Sequence, residues 1–321
     1  RDLDWGVKVP LKNAEGKVLY VWLDAPIGYI SATKQWAKDN NKKWKPYWKE
    51  KDTQLIHFIG KDNIVFHSII FPIILKSHGE YILPSNVPAN EFLNLEGKKL
   101  STSRNWAIWL KDYLVDFKGK QDSLRYALCA TSPEGKDTDF TWLEFQSRNN
   151  NELVAIYGNY INRVFVLINK YWQGVVPKAE VTEKFDEEVL LKLSKYPEKV
   201  GAQIKLFKFR EALSLVMGLA RTGNKYLADT EPWKLKNIDE SRVKTIMNIS
   251  IQIVSSLAIL SEPFLPFTAK KLKKILNAKD MKWENAGKIY IHDGHKIEKP
   301  THLFEKIENK DIEYQLKKLN N

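Results

Sequence analysis

The sequence is short of cysteine: Cys129 is the single one in 321 residues. One thiol excludes an intramolecular disulfide framework and a multi-cysteine metal site, and it suits a reducing compartment, so a cytoplasmic location is expected. No run of about 18 apolar residues occurs, so no membrane span is expected. The first ten residues, RDLDWGVKVP, lack the apolar stretch of a signal peptide. The sequence also lacks methionine at position 1, which suggests a piece of a longer chain.

Hydrophobic residues make up 43% and aromatic residues 12%. A chain of this length and composition has material for two packed domains or more. The net charge of +12 is unevenly placed: residues 1–147 hold 21 Lys/Arg against 18 Asp/Glu, and residues 148–321 hold 30 against 21. Such an excess fits a polyanionic partner through counterion release, and equally an ordinary soluble lysine-rich surface.

Three short apolar runs read as strands: VLYVWL (18–23), LIHFIG (55–60) and EFLNL (91–95). Residues 28–39 and 63–78 read as helices, the second because Ile64, His67, Ile70 and Ile74 recur at helical spacing. Strand–helix–strand alternation predicts a parallel sheet with crossover helices, whose ligands bind at the carboxyl ends of strands. From about residue 141 the pattern turns helical. Thr141 to Glu144 matches a capping box, and a long helix should run to about 172, where GVVP (174–177) stops it. Further helices are expected over 186–204, 207–228, 239–261 and 263–277. In the third of these, Ile246, Ile249, Ile253, Leu257 and Leu260 lie on one face. The second half therefore reads as an all-α bundle.

The stretch EGKKLSTSR (96–104) places cations and hydroxyls around one leucine. Gly97 permits a tight turn, Lys98, Lys99 and Arg104 carry charge, and Ser101, Thr102 and Ser103 supply hydroxyls. These are the parts of a phosphate site, with successive amides available as an anion nest. Taken alone, such a loop more often sits in water. Its company is more telling. VWLDAPIGY (21–29) and HFIGKDNIVFHS (57–68) both read as strand-end turns upstream of it.

With WLDAPIGY, FIGKD, His67 five residues after Asp62, KKLSTS, DSLRYAL (122–128) and EPW (231–233), the sequence resembles the methionyl-tRNA synthetases, class I aminoacyl-tRNA synthetases. The resemblance extends to the tail GHKIEKPTHLFEKIE (294–308). It implies an α/β plus all-α fold: the C-terminal half of a Rossmann-type parallel-sheet catalytic domain over residues 1–95, a region with the KMSKS-type loop and a stem contact over 96–147, and an α-helical anticodon-binding domain over 148–321. It implies a methionine pocket from Trp22, Ala25, Pro26, Tyr29, His67 and Phe71. An aromatic wall suits a thioether, and an imidazole donor near sulfur would distinguish it from a hydrocarbon. It implies ATP binding by Gly60, Asp62, Leu93, Lys99, Ser101 and Thr102, with Lys99 and Thr102 in the catalytic loop and ATP entering with Mg as a substrate. Asn159, Arg163 and Trp233 would contact the anticodon of tRNA(Met), since splayed bases stack on aromatics or guanidinium and accept amide hydrogen bonds.

The sequence departs from the family in two places. The second lysine of the loop motif is replaced by Thr102, a hydroxyl that can hydrogen-bond a phosphate without neutralising it. No HIGH-like motif precedes Trp22, and His292-Asp293-Gly294-His295, near the carboxyl end, reads as a decoy. Neither the family's zinc knuckle nor any other zinc site is expected here. The chain alone is therefore expected to be inactive in adenylate formation while still binding tRNA. A non-catalytic tRNA-binding module and another class I synthetase stand as alternatives.

Overall fold

The computed structural model describes residues 5–320. It divides into two compact units. One runs to Phe92 and takes in Pro133–Asp137; the other comprises Leu93–Ser132 and everything from Thr138 onward.

In the first unit, helix α1 (Ile27–Asp39) is followed by strands β1 (Leu55–Ile56) and β2 (Ile59–Gly60). A 3-10 turn (Lys61–Asn63), a π-helical turn (Phe66–Ile70) and helix α2 (Phe71–His78) then lead to β3 (Pro84–Asn86) and β4 (Ala89–Asn90). β1 pairs with β3 and β2 with β4, both in parallel, so the strand–helix–strand expectation for this region holds.

Two expectations are corrected in this unit. VLYVWL is no strand: Val18 makes one antiparallel bridge to Lys8, and Val21–Asp24 form a helical turn. A β-branched run becomes a strand only beside a partner. Here the backbone bonds close locally instead, Leu23 N–H to the Tyr20 carbonyl at 2.8 Å and Ala25 N–H to that of Val21 at 2.7 Å. The stripe on the second helix is also shifted. Ile64 is exposed and Ile70 and Ile74 only half-buried, while His67, Phe71 and Leu75 are buried. The π turn widens the spacing, so every fourth residue from His67 faces inward. Phe71 and Leu75 form the unit's core with Ile30 and Trp48.

The second unit opens with a hairpin of β5 (Leu93–Leu95) and β6 (Lys98–Lys99). Glu96 and Gly97 both have positive φ, 49° and 74°, as a two-residue hairpin turn of primed type requires. Helices α3 (Leu110–Asp116) and α4 (Gln121–Ala130) precede β7 (Thr138–Phe140), which pairs in parallel with β5. Leu95, Tyr113, Phe117, Phe140, Trp142 and Phe145 close a small aromatic core.

The long helix expected from 141 is continuous in path and changes type along its length. Helix α5 (Trp142–Arg148) passes into a π-helical stretch (Asn149–Gly158) and then into α6 (Asn159–Trp172). Its capping box is half made. Thr141 accepts the Glu144 amide at 3.1 Å, while the Glu144 carboxylate turns to Arg148 at 2.6 Å. Helices α7 (Lys184–Lys205), α8 (Phe209–Thr230), α9 (Glu240–Leu260) and α10 (Pro266–Ile275) complete the bundle, and α11 (Asn309–Asn320) closes the chain.

The one-face reading of α9 understates it, because every residue from Thr245 to Leu260 is buried. By length and composition α9 could cross a membrane (mean hydropathy 1.6), yet 94% of that window lies inside the bundle. Its Gln252 illustrates how polar groups survive there: the amide nitrogen donates to the Ile291 carbonyl, and the amide oxygen accepts from the Tyr290 and Ile291 amides. A buried Asp186–Arg242 pair ties α7 to α9. Arg242 donates to Asp186 at 2.6 and 2.9 Å, and the Tyr226 hydroxyl donates to the same carboxylate at 2.5 Å.

Candidate functional sites

The first unit gathers an aromatic and imidazole cluster. The turn before α1 presents Trp22, the first turn of α1 presents Tyr29, and the π turn presents His67 against them. The Trp22 and Tyr29 rings each lie 5.8 Å from the His67 ring, and Tyr29 lies 6.2 Å from Phe71. The Tyr29 hydroxyl and His67 Nε2 hydrogen-bond at 2.9 Å, and His67 Nδ1 meets the Asn63 carbonyl at 3.0 Å. If Nδ1 carries the proton, donated to that carbonyl, Nε2 accepts from Tyr29 and fixes the ring. Pro26 is buried at the start of α1, whereas Ala25 is exposed on the turn. Four of the six expected pocket residues are thus in ring contact, and Ala25 and Pro26 flank them on the chain.

His57 was not foreseen. It is 7% exposed, its ring lies 5.2 Å from His67 and 5.7 Å from Phe71, and its Nε2 has no partner among the described residues. Burial, and then the nearby His67, push its pKa below the usual imidazole value. The signal was present in LIHFIG, since alternation along a strand sends His57 and Phe58 to opposite faces.

At the end of β2, Gly60 has an ordinary negative φ, and a Cβ there would lie 2.8 Å from Asp62 Oδ1 in its present rotamer. The glycine lets the Asp62 carboxylate fold back over the strand end. Lys61, between them, reaches Asp137 at 2.7 Å and Glu91 at 2.6 Å. The Asp137 hydrogen bond, then that of Glu91, holds its ammonium above the usual lysine range. Lys61 therefore clamps the strand end to two carboxylates.

In the second unit EGKKLSTSR is an ordered hairpin. The Glu96 carboxylate accepts the Trp142 amide at 2.7 Å, and the Gly97 amide donates to Asp139 at 2.9 and 3.0 Å. Ser101 and Trp106 exchange backbone hydrogen bonds at 3.0 and 2.9 Å. Thr102–Arg104 form a 3-10 turn, and the Trp106 indole donates to the Leu95 carbonyl at 2.9 Å. The Ser101 amide is thus engaged within the hairpin and outside any anion nest. Lys98 lies over Trp106 at 4.4 Å, and Lys99 and Thr102 are exposed. Leu93, Ser101 and Thr102 line one largely apolar cavity of about 660 Å³, with Trp109, Leu124 and Leu128. Lys99 is not part of that lining, and Gly60 and Asp62 belong to the first unit.

On the bundle, the Arg163 guanidinium stacks over Trp233 at 4.6 Å. Trp233 is 37% exposed and follows Pro232 at the start of a short helix. Asn159 is exposed one turn before Arg163 on α6. The three residues share a surface with a planar cation, an aromatic face and a free amide. His292-Asp293-Gly294-His295 forms a structural turn. His295 Nε2 meets the Leu276 carbonyl at 2.6 Å, and Gly294 N–H donates to that of Val176 at 2.9 Å.

A family model described as tRNA synthetases class I (M) matches residues 1–165, and one described as the anticodon binding domain of methionyl tRNA ligase matches residues 176–320. The methionine–tRNA ligase of Christiangramia forsetii is 60% identical over 99% of this chain and 47% of its own length. That of Bacteroides fragilis is 58% identical over 99% and 47%. Among solved structures, Mycobacterium tuberculosis methionyl-tRNA synthetase with methionyl-adenylate superposes with a TM-score of 0.81 at 28% identity, covering 95% of this chain and 59% of that one. The chain spans about half the length of the curated relatives it matches.

Proposed function

The chain belongs to the methionine-type class I tRNA synthetases, and on that premise we propose that its residues serve a methionine–tRNA ligase acting in cytoplasmic protein synthesis. The observation that carries this reading is the Trp22–Tyr29–His67–Phe71 cluster. Three aromatic rings suit a polarisable thioether, and an imidazole held in one orientation by Tyr29 and Asn63 offers it a polar contact.

The substrates are methionine, ATP as its magnesium complex, and tRNA(Met). The methionine carboxylate attacks the α-phosphorus, pyrophosphate leaves, and the terminal ribose hydroxyl of the tRNA then takes the acyl group from the adenylate. This chain's residues would act by position and charge. Gly60 leaves room for Asp62, whose carboxylate accepts from ribose hydroxyls. Leu93 lies on an apolar cavity suited to the adenine. Lys99 neutralises charge developing on the phosphates, and Ser101 and Thr102 hydrogen-bond them. Arg163, Trp233 and Asn159 hold the CAU anticodon by stacking and amide contact. The single cysteine agrees with a cytoplasmic setting. The domain roles follow: residues 1–95 catalytic, 96–147 loop and stem contact, 148–321 anticodon-binding.

Methionine-dependent ATP–pyrophosphate exchange, measured on the enzyme at the length of its relatives, tests the proposal. Lys99→Ala should lower the rate by about 10²-fold, the scale of removing one group that stabilises transition-state charge. An unchanged rate would remove Lys99 from the mechanism. Exchange by the 321-residue chain alone would contradict the expectation that it is inactive by itself.

A further inference from the structure

Lys61 stands between Gly60 and Asp62 in the strand-end turn, and its side chain reaches away from that turn. Its ammonium meets Glu91 at 2.6 Å and Asp137 at 2.7 Å and lies 4.4 Å from the centre of the Phe92 ring. The same Asp137 oxygen accepts the Phe92 amide at 2.9 Å, and the Glu91 amide donates to the Pro133 carbonyl at 2.8 Å. These partners lie at joints of the chain. Phe92 is the residue before β5, and Asp137 is the residue before β7. Leu93 and Thr138, which follow them, face each other in the parallel ladder. At the far ends of the same strands, the Gly97 amide donates to the Asp139 carboxylate and the Glu96 amide to the Phe140 carbonyl. Those bonds set the turn from which β6, with Lys98 and Lys99, departs. One ammonium thus pins the starts of both strands, and it does so from the residue between Gly60 and Asp62.

Stability does not account for the arrangement. The side chains of Lys61, Glu91 and Asp137 are 31%, 33% and 48% exposed, and ion pairs so open to water contribute little to folding. What the three partners fix is geometry: a long, flexible side chain is held at one place. We infer that Lys61 is a positioning residue for adenylate formation, fixing the starts of β5 and β7 against the Gly60–Asp62 turn and, through β5, the base of the hairpin that bears Lys99. The inference rests on the reading of Asp62 and Lys99 as nucleotide-binding residues and adds a residue that acts through them. Charge that stabilises a transition state works only if it is placed beforehand, and a misplacement of about 1 Å can cost about 10²-fold in rate. β5 is three residues long, so little chain separates Phe92 from the hairpin turn to absorb a shift. The ammonium is engaged by two carboxylates and a ring, so its influence passes through those partners.

Methionine-dependent ATP–pyrophosphate exchange on the enzyme at the length of its relatives, with both substrates titrated and each variant melted, tests this. Lys61→Met keeps the aliphatic stem; it should lower kcat about 10- to 10²-fold, hold both KM values within about twofold and move the melting temperature by about 3 °C or less. Asp137→Asn keeps an acceptor for the Phe92 amide and removes the ion pair. It should reproduce the loss, and adding Lys61→Met to it should lower kcat little further. Lys61→Arg, whose planar fork can meet both carboxylates, should recover most of the rate. A normal kcat in Lys61→Met, beside a Lys99→Ala enzyme that has lost activity, would overturn this inference and leave the ligase reading intact. So would a raised KM for ATP in Lys61→Met with a normal Asp137→Asn enzyme, since the ammonium would then meet the nucleotide itself. A fall in melting temperature of more than about 10 °C in both variants would make the pairs structural and overturn it too. Unchanged exchange in both Lys99→Ala and Lys61→Met would overturn the nucleotide-site reading as well.

Discussion

The approach of α8 to α6 depends on one missing side chain. A Cβ built on Gly223 would lie 2.3 Å from Cζ of Tyr160 and 2.6 Å from both Cε atoms. Ordinary carbon contacts need about 3.5 Å or more, so Gly223→Ala forces a separation of roughly 1.2 Å at this point. Tyr160 has nowhere to go. Its ring is fully buried, and its hydroxyl donates to the Ser250 carbonyl on α9 at 3.0 Å. Overpacking of this sort costs about 1–3 kcal/mol, more where a buried hydrogen bond is also lost. Helix propensity alone argues the other way, favouring alanine by about 1 kcal/mol. The clash should win, with a net loss of about 2 kcal/mol. In urea, followed by far-UV circular dichroism, this lowers the midpoint by about 1 M for a slope near 2 kcal/mol/M. Tyr160→Ala removes the clashing ring, so Gly223→Ala should cost nothing further in that background. A Gly223→Ala variant as stable as the parent, or more so, would refute the packing argument. Because Tyr160 adjoins Asn159 on α6, the same substitution should also weaken binding of a CAU hairpin.

Two further predictions concern buried charge. Asp186→Asn leaves Arg242 without its buried counter-ion and should cost about 3–5 kcal/mol in urea unfolding. Burial raises the Asp186 carboxyl, but its bonds from Arg242 and Tyr226 bring it below the usual range. The stability it contributes is therefore complete above about pH 4 and lost as pH falls through the lower folded-state value; a melting profile flat through that range would contradict this. For His57 the depressed pKa means that the unfolded chain binds the extra proton. Stability should be complete above about pH 6.5 and decline on acidification below it, and His57→Phe should flatten melting temperatures measured from pH 8 to pH 5.

Sequence periodicity located the helices between residues 142 and 275 to within a few residues, because apolar spacing dominates where a helix packs in a bundle, but gave no sign of α11 (Asn309–Asn320). It missed what depends on partners at a distance. VLYVWL has the composition of a strand but, among the described residues, only the Val18–Lys8 bridge as pairing, so the bonds of Val21–Asp24 closed into a turn. The stripe through His67 slipped by a residue because a π turn leaves no mark in composition. β6 and β7 were invisible at two and three residues, and α9 read as one-sided because its buried Ser, Thr and Gln look polar on paper. The site clusters were legible chiefly through ordered motifs. Trp22, Tyr29, His67 and Phe71 lie up to 49 positions apart in sequence and still meet through ring contacts. Spacing could not reveal the role of Lys61, held by two carboxylates 30 and 76 positions away, whereas the burial of His57 could have been read from the alternation in LIHFIG.

The π-helical stretch Asn149–Gly158 also has a bearing on insertions and deletions. Its turns hold more residues than α turns do, so it carries surplus length relative to an α-helix over the same path. Removing one residue there would let one wide turn relax to an ordinary α turn without breaking the helix. The surplus residue is what that turn holds, so the helix beyond it would keep nearly its present phase, with Arg163 over Trp233 and Tyr160 and Val164 still buried. The same deletion in the α-helical segment after Asn159 has no surplus to draw on and would turn everything beyond it by about 100°. A single-codon deletion between Arg148 and Asn159 should therefore be tolerated better than one a few residues further along.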